Sequence, residues 1–94
     1  MDKNRAKMLH ALAESFGFVE RPDQSDPVKS RSYDRVSMGI EALKAGSEDV
    51  TRTLQVIVLS CGQIGAFETQ AVAAGWASAL GVDLRPVLGG DVAA

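Results

Sequence analysis

Between Thr53 and Val82 the chain carries a single charged side chain, Glu68, and that stretch limits what the sequence can fold into. An apolar run of thirty residues has to be buried in a protein core or in a bilayer. Gln55, Gln63, Glu68 and Gln70 interrupt it and no basic cluster flanks it closely, so no membrane span is expected and a protein core is. Val50, Leu54, Ile57, Cys61, Ile64, Glu68, Ala71 and Gly75 follow one another in alternating steps of four and three. That spacing predicts one long, largely buried helix from Glu48 to Leu80. Gly62, Gly65 and Gly75 oppose it by propensity, yet would let another helix approach closely. The alternative is α/β. LQVIVL at 54–59 is rich in β-branched residues, SCGQIG could turn, 66–80 could be a helix and 82–88 a second strand. That makes one βαβ unit, with Pro86 demoting the second strand to an edge. A single unit leaves a poor sheet, so the long helix is preferred.

Two shorter helices are expected before it. Ala6, Leu9, Ala13 and Phe16 form an apolar stripe along Asp2 to Phe16, with Lys3, Lys7 and Glu14 off it. Asp2 can cap its start, and Gly17 can end it in the left-handed conformation. Phe18 and Val19 should tuck back against the core. PDQSDP lies within a loop over Glu20 to Arg31, where Pro22 and Pro27 lack backbone donors. Tyr33, Val36, Ile40 and Leu43 then predict a helix from Ser32 to Ala45, in which Gly39 would serve close packing. Gly46 ends it, and Ser47 is placed to cap the next, with Glu48 and Asp49 in its first turn. The expectation is an all-α short bundle of about three helices, the last long and buried. It forms one domain over 1–94, with a loop over 17–32 and a flexible tail over 89–94.

Ninety-four residues suit one domain with a modest core, so oligomerisation is a plausible further source of stability. A net charge of −2 gives no electrostatic reason to expect nucleic acid as a partner. The lone Cys61 cannot form an internal disulfide, and the start MDKNRAKMLH lacks the apolar run of a signal peptide. A cytoplasmic location is therefore expected.

Each candidate for chemistry has a plainer reading beside it. Glu68 lies on the apolar seam, where a buried carboxylate could hold a metal or accept a proton. The plainer reading, an edge carboxylate paired with Arg52, Arg35 or a partner chain, is preferred. His10 has no partner at ligand spacing and reads as a boundary residue. Cys61 reads as a buried, inert thiol. Gly62 and Gly65 follow an apolar run, but no phosphate-loop motif accompanies them. Trp76, Phe67 and Tyr33 read as packing residues. Leu54, Ile57, Cys61, Ile64, Ala71, Gly75 and Trp76 are the expected interface.

SYDRVSMGIEALKAGSEDV followed by TLQVIVLSCGQIGAFETQAVAAGWASALG resembles the bacterial ferritin-like proteins of the YciE/YciF type. A helix ending like ESFGF, a proline-containing loop, a short helix, and a long helix closing like WASALG carry the resemblance, over about Leu9 to Leu84. It implies a ferritin-like half-bundle completed by a second copy or by a longer related chain. The family's Glu-His-x-Glu signature falls on Gly65, Ala66, Phe67 and Glu68, so only Glu68 matches. A di-iron bundle needs carboxylates from several helices and two Glu-x-x-His pairs. With His10 the only histidine, the family's iron site cannot be assembled here, even by two copies. The resulting expectation is a non-enzymatic, stress-associated helical interaction protein that self-associates and has no resident cofactor. Two alternatives stand beside it. One is a metal-binding remnant in which Glu68 holds iron or manganese across a dimer. The other is a small α/β ligand-binding domain.

Overall fold

The computed structural model describes residues 3–88 and is all-helical. Helices α1 (Lys3–Phe16), α2 (Pro27–Lys44), α3 (Val50–Gln63) and α4 (Phe67–Ala79) are followed by a single turn, α5 (Arg85–Leu88). Each long helix packs on its neighbour in the chain, and α4 closes the ring on α1. α5 rests on α3, which therefore touches three other elements and forms the centre of the fold. Among the described residues no helix is long and apolar enough to cross a membrane. The expected capping by Asp2 and the expected tail over 89–94 lie outside the described residues.

The all-α expectation holds, but the long helix is two helices. Residues 54–59 lie inside α3, and of 82–88 the last four form α5 while 82–84 are irregular, so neither expected strand of the α/β alternative forms. The break falls at Gly65, whose φ is +72°. The Gly65 amide donates to the Gly62 carbonyl at 3.3 Å and the Ala66 amide to the Cys61 carbonyl at 2.9 Å. The same arrangement ends α2 at Gly46, φ +88°, where the Ser47 amide donates to the Ala42 carbonyl at 3.0 Å. It ends α4 at Gly81, φ +74°, where the Val82 amide donates to the Ala77 carbonyl at 2.7 Å. A left-handed residue strains an L side chain and costs glycine little, so these positions turn the chain where a helix could otherwise run on. Gly17 does not have a positive φ. α1 instead ends in tight turns, the Phe18 amide donating to Ser15 and the Val19 amide to Phe16.

The starts are equally specific. Pro27 opens α2, because a proline at the first helical position gives up only an amide that would be unpaired anyway. The Asp26 carboxylate accepts from the Lys29 amide at 3.1 Å, so α2 begins five residues before the expected Ser32. Asp49, rather than Ser47, caps α3 by accepting from the Arg52 amide at 3.2 Å.

Leu12, Val36, Leu43, Leu54, Ile57, Val58, Cys61, Ala73 and Ala77 are fully enclosed. The predicted seam holds through Cys61, then the turn resets its phase. α4 buries Thr69, Ala73 and Ala77, leaving Glu68, Ala71 and Gly75 exposed. In α1 the buried face is Met8, Leu9 and Leu12, while Ala6 is exposed. Side chains tie the helices together. Arg5 donates through Nε and Nη2 to the Leu43 carbonyl at 3.2 and 2.8 Å and through Nη2 to Ser47 at 2.9 Å. A cation is thereby fixed at the negative end of α2. Gln70 of α4 donates to the Val58 carbonyl of α3 at 2.9 Å, and the Ser32 hydroxyl donates to Gln63 at 2.6 Å.

Gly39 does serve close packing, as the small size of glycine leads one to expect. A Cβ there would lie 2.9 Å from Ile57 Cγ1 and 3.1 Å from its Cδ1. Gly39→Ala gains about 1 kcal/mol in helix propensity and loses about 1–3 kcal/mol to overpacking. Ile57 is wholly enclosed and has little room to move, so the packing loss wins. The expected result is a net loss of about 1 kcal/mol, seen as a lower urea midpoint with an unchanged slope.

Candidate functional site

The end of α1 and the turn from α3 to α4 meet around an open cleft of about 490 Å³, lined among others by Phe18, Val19, Glu20, Ile64, Phe67 and Thr69. The tight turns after Phe16 send neighbouring side chains in different directions. Val19 packs on the core, whereas Phe18 is 82% exposed rather than tucked in. On the opposite wall Gly65 sets the direction of α4, and Phe67 at its first position is 67% exposed. Two aromatic rings thus stand in solvent on one cleft, one in the turn after α1 and one at the start of α4. Glu20 and Glu68, both exposed, make its rim acidic. Thr69 is 0% exposed, and its Oγ1 has no hydrogen-bond partner among the described residues. An unpaired buried hydroxyl costs about 1–3 kcal/mol, which the rest of the core offsets.

A second surface lies between α2 and the first half of α3. Arg35, Met38, Gly39, Ala42, Arg52 and Val56 help line a groove of about 260 Å³. Met38 is 70% exposed, and neither guanidinium has a partner among the described residues. The groove is smaller than the roughly 300–1,000 Å³ of a small-molecule site and suits one or two inserted side chains.

The residues singled out from the sequence do not converge. Glu68 lies in the first turn of α4, exposed, and makes no ion pair with Arg35 or Arg52 among the described residues. His10 is on the outer face of α1, its Nε2 3.0 Å from Glu14 Oε2. Among the described residues no group of three His, Cys, Asp or Glu could hold a metal ion, so the metal reading gains no support. Leu54, Ile57 and Cys61 face the chain's own core and are closed to a second chain. Ile64 and Trp76 are half-buried, and Ala71 and Gly75 are exposed. Ala71, Gly75 and Trp76 line a shallow groove with Ala11. Nothing in the sequence pattern marks Phe18 or Met38 as a surface feature, and Phe67, expected to pack, is exposed. The available signal was Gly65: read as a helix terminator like Gly46, it places Phe67 off the face formed by Thr69, Ala73 and Ala77.

Burial pushes the Cys61 thiol up from its ordinary 9.0 to about 12. A thiol with that affinity for its proton is not a nucleophile near neutral pH. Between those two values the folded chain keeps a proton that the unfolded chain releases. The Cys61 contribution to stability is therefore complete below pH 9 and is lost as pH rises towards 12. The urea midpoint of the wild type should fall more steeply from pH 8.5 to 10.5 than that of Cys61→Ala. Equal slopes would show that the thiol is not protected by burial.

No family model, no curated protein and no solved structure matches the chain.

Proposed function

We propose that the protein is a non-enzymatic helical interaction module that associates with a second copy of itself through the aromatic cleft at Phe18 and Phe67. The observation that carries this reading is that both rings stand largely in solvent on one cleft. Burying a phenylalanine stabilises by about 1.5–3 kcal/mol relative to leaving it in water, so a surface that removes both from solvent has a substantial driving force. Exposed apolar patches set in a polar rim mark interaction sites, and here Glu20 and Glu68 provide the rim. Aromatic residues are also the usual anchors of such contacts. Among the described residues the cleft sets its two carboxylates beside the hydroxyl residues Ser15 and Thr69 and no thiol, histidine or amine, which favours recognition as its role. The ferritin-like resemblance adds a stress-associated role to this proposal and admits a longer related chain as another partner.

Sedimentation velocity tests the reading. The wild-type chain should sediment above its 9.9 kDa monomer mass as concentration rises through the micromolar range. Phe18→Ser/Phe67→Ser should remain monomeric with unchanged helix content, because neither ring contributes to the core. A wild type that stays monomeric, or a variant that associates equally well, would refute it.

A further inference from the structure

We infer that the association is head-to-tail: the acidic aromatic cleft at Phe18, Glu20, Phe67 and Glu68 of one copy docks on the arginine-rimmed groove at Arg35, Met38 and Arg52 of the next. The inference rests on the self-association reading and specifies its geometry.

Charge decides against the simpler arrangement. In a two-fold contact of the cleft with itself, Glu20 and Glu68 of one copy would face Glu20 and Glu68 of the other. Like charges brought together at a contact suppress it. The groove between α2 and α3 has the opposite character. It carries two guanidinium groups without partners among the described residues, and Met38, Ala42 and Val56 add apolar surface between them. An occupant that fits has an apolar tip beside a carboxylate, which describes the Phe67–Glu68 pair at the start of α4. The groove volume suits a side chain, and methionine adapts its shape to an aromatic ring.

The two surfaces are independent on one molecule. The groove uses α3 at Arg52, Thr53 and Val56, and the cleft begins at Ile64, one residue past its end. At 1.5 Å per residue, Val56 and Ile64 are about 12 Å apart along the axis. No residue lines both, so one copy can engage two neighbours. Such heterologous contacts form a ring where the rotation closes and an open chain where it does not. The rim charges lie in solvent, so they select the partner face and quicken encounter, while the rings provide most of the attraction.

Two charge-reversed variants test this. Glu20→Lys/Glu68→Lys keeps the basic groove, and Arg35→Glu/Arg52→Glu keeps the acidic cleft. All four side chains are exposed in the wild type, so circular dichroism should show both variants folded. Each alone should self-associate at least tenfold more weakly than the wild type. Mixed in equal amounts they should associate with each other in a 1:1 ratio at close to wild-type strength, since the basic groove of the first meets the acidic cleft of the second and the lysine-rimmed cleft of the first meets the glutamate-rimmed groove of the second. Self-association of either variant at wild-type strength, or a mixture without 1:1 association, would overturn the pairing. Should lysine in the first turn of α4 unfold the chain, Glu20→Gln/Glu68→Gln replaces it. Its self-association should then be weaker than wild type and insensitive to 0.5 M salt, and wild-type strength and salt response would overturn the pairing. A wild type that never associates defeats the self-association reading as well. A wild type that associates through Phe18 and Phe67 but ignores charge reversal defeats the head-to-tail pairing alone.

Discussion

The amides of Gly65 and Ala66 donate to the carbonyls of Gly62 and Cys61, and the positive φ of Gly65 makes that geometry possible. Those two bonds satisfy carbonyls that the end of α3 would otherwise leave open, and they turn the chain back on itself. The rest of the molecule depends on that turn. It brings Thr69, Ala73 and Ala77 to the interior, where small side chains let α4 lie close to its neighbours. It lets Gln70 reach the Val58 carbonyl across the gap between helices, with Gly62 leaving the space that the amide occupies. It also lets α4 meet α1, which closes the ring of four helices and forms the cleft.

Close approach on the other side of α3 has a different origin. Gly39 carries no Cβ where Ile57 fills the space, so α2 and α3 approach each other through side-chain packing. α3 is thus held against α2 by shape and against α4 by a backbone turn. A continuous helix over the same residues would leave the inner face of α4 uncovered within a single chain. The break spares the protein that exposure, and it leaves Phe67 exposed at the start of α4, on the same cleft as Phe18.

Much of this is legible in the residues. The charge-poor stretch does form the centre of the core, and Val36, Ile40 and Leu43 lie buried as their spacing predicts. Periodicity misled at Gly65 because the step from Ile64 to Glu68 happens to keep the helical interval across a turn. Spacing counts residues and is blind to the sign of φ. The same blindness placed Gly17 in the left-handed conformation that Gly46 adopts and Gly17 does not. Pro27 reads as a loop residue because proline breaks helices from within, yet at the first position it starts one. In α1, Ala6 and Ala13 form as regular a stripe as Met8 and Leu12, but the larger side chains gain more from burial and take the inner face. The cleft was hidden for a related reason: whether Phe67 packs or faces solvent depends on the phase of α4, and Gly65 sets that phase.

A distance between the far ends of α3 and α4 tests the reversal most directly. Nitroxide labels can be placed at Thr51→Cys and Ser78→Cys, both exposed positions, in a Cys61→Ala background. In a continuous helix the 27 intervening steps would separate them by roughly 40 Å. In this structure Val50, Trp76 and Leu80 line one cavity, so the two ends lie side by side. A pulsed dipolar measurement should give a distance under about 25 Å, the scale of two packed helix diameters. A distribution centred near 40 Å would show an unbroken helix and would contradict both the ring of four helices and the cleft that depends on it.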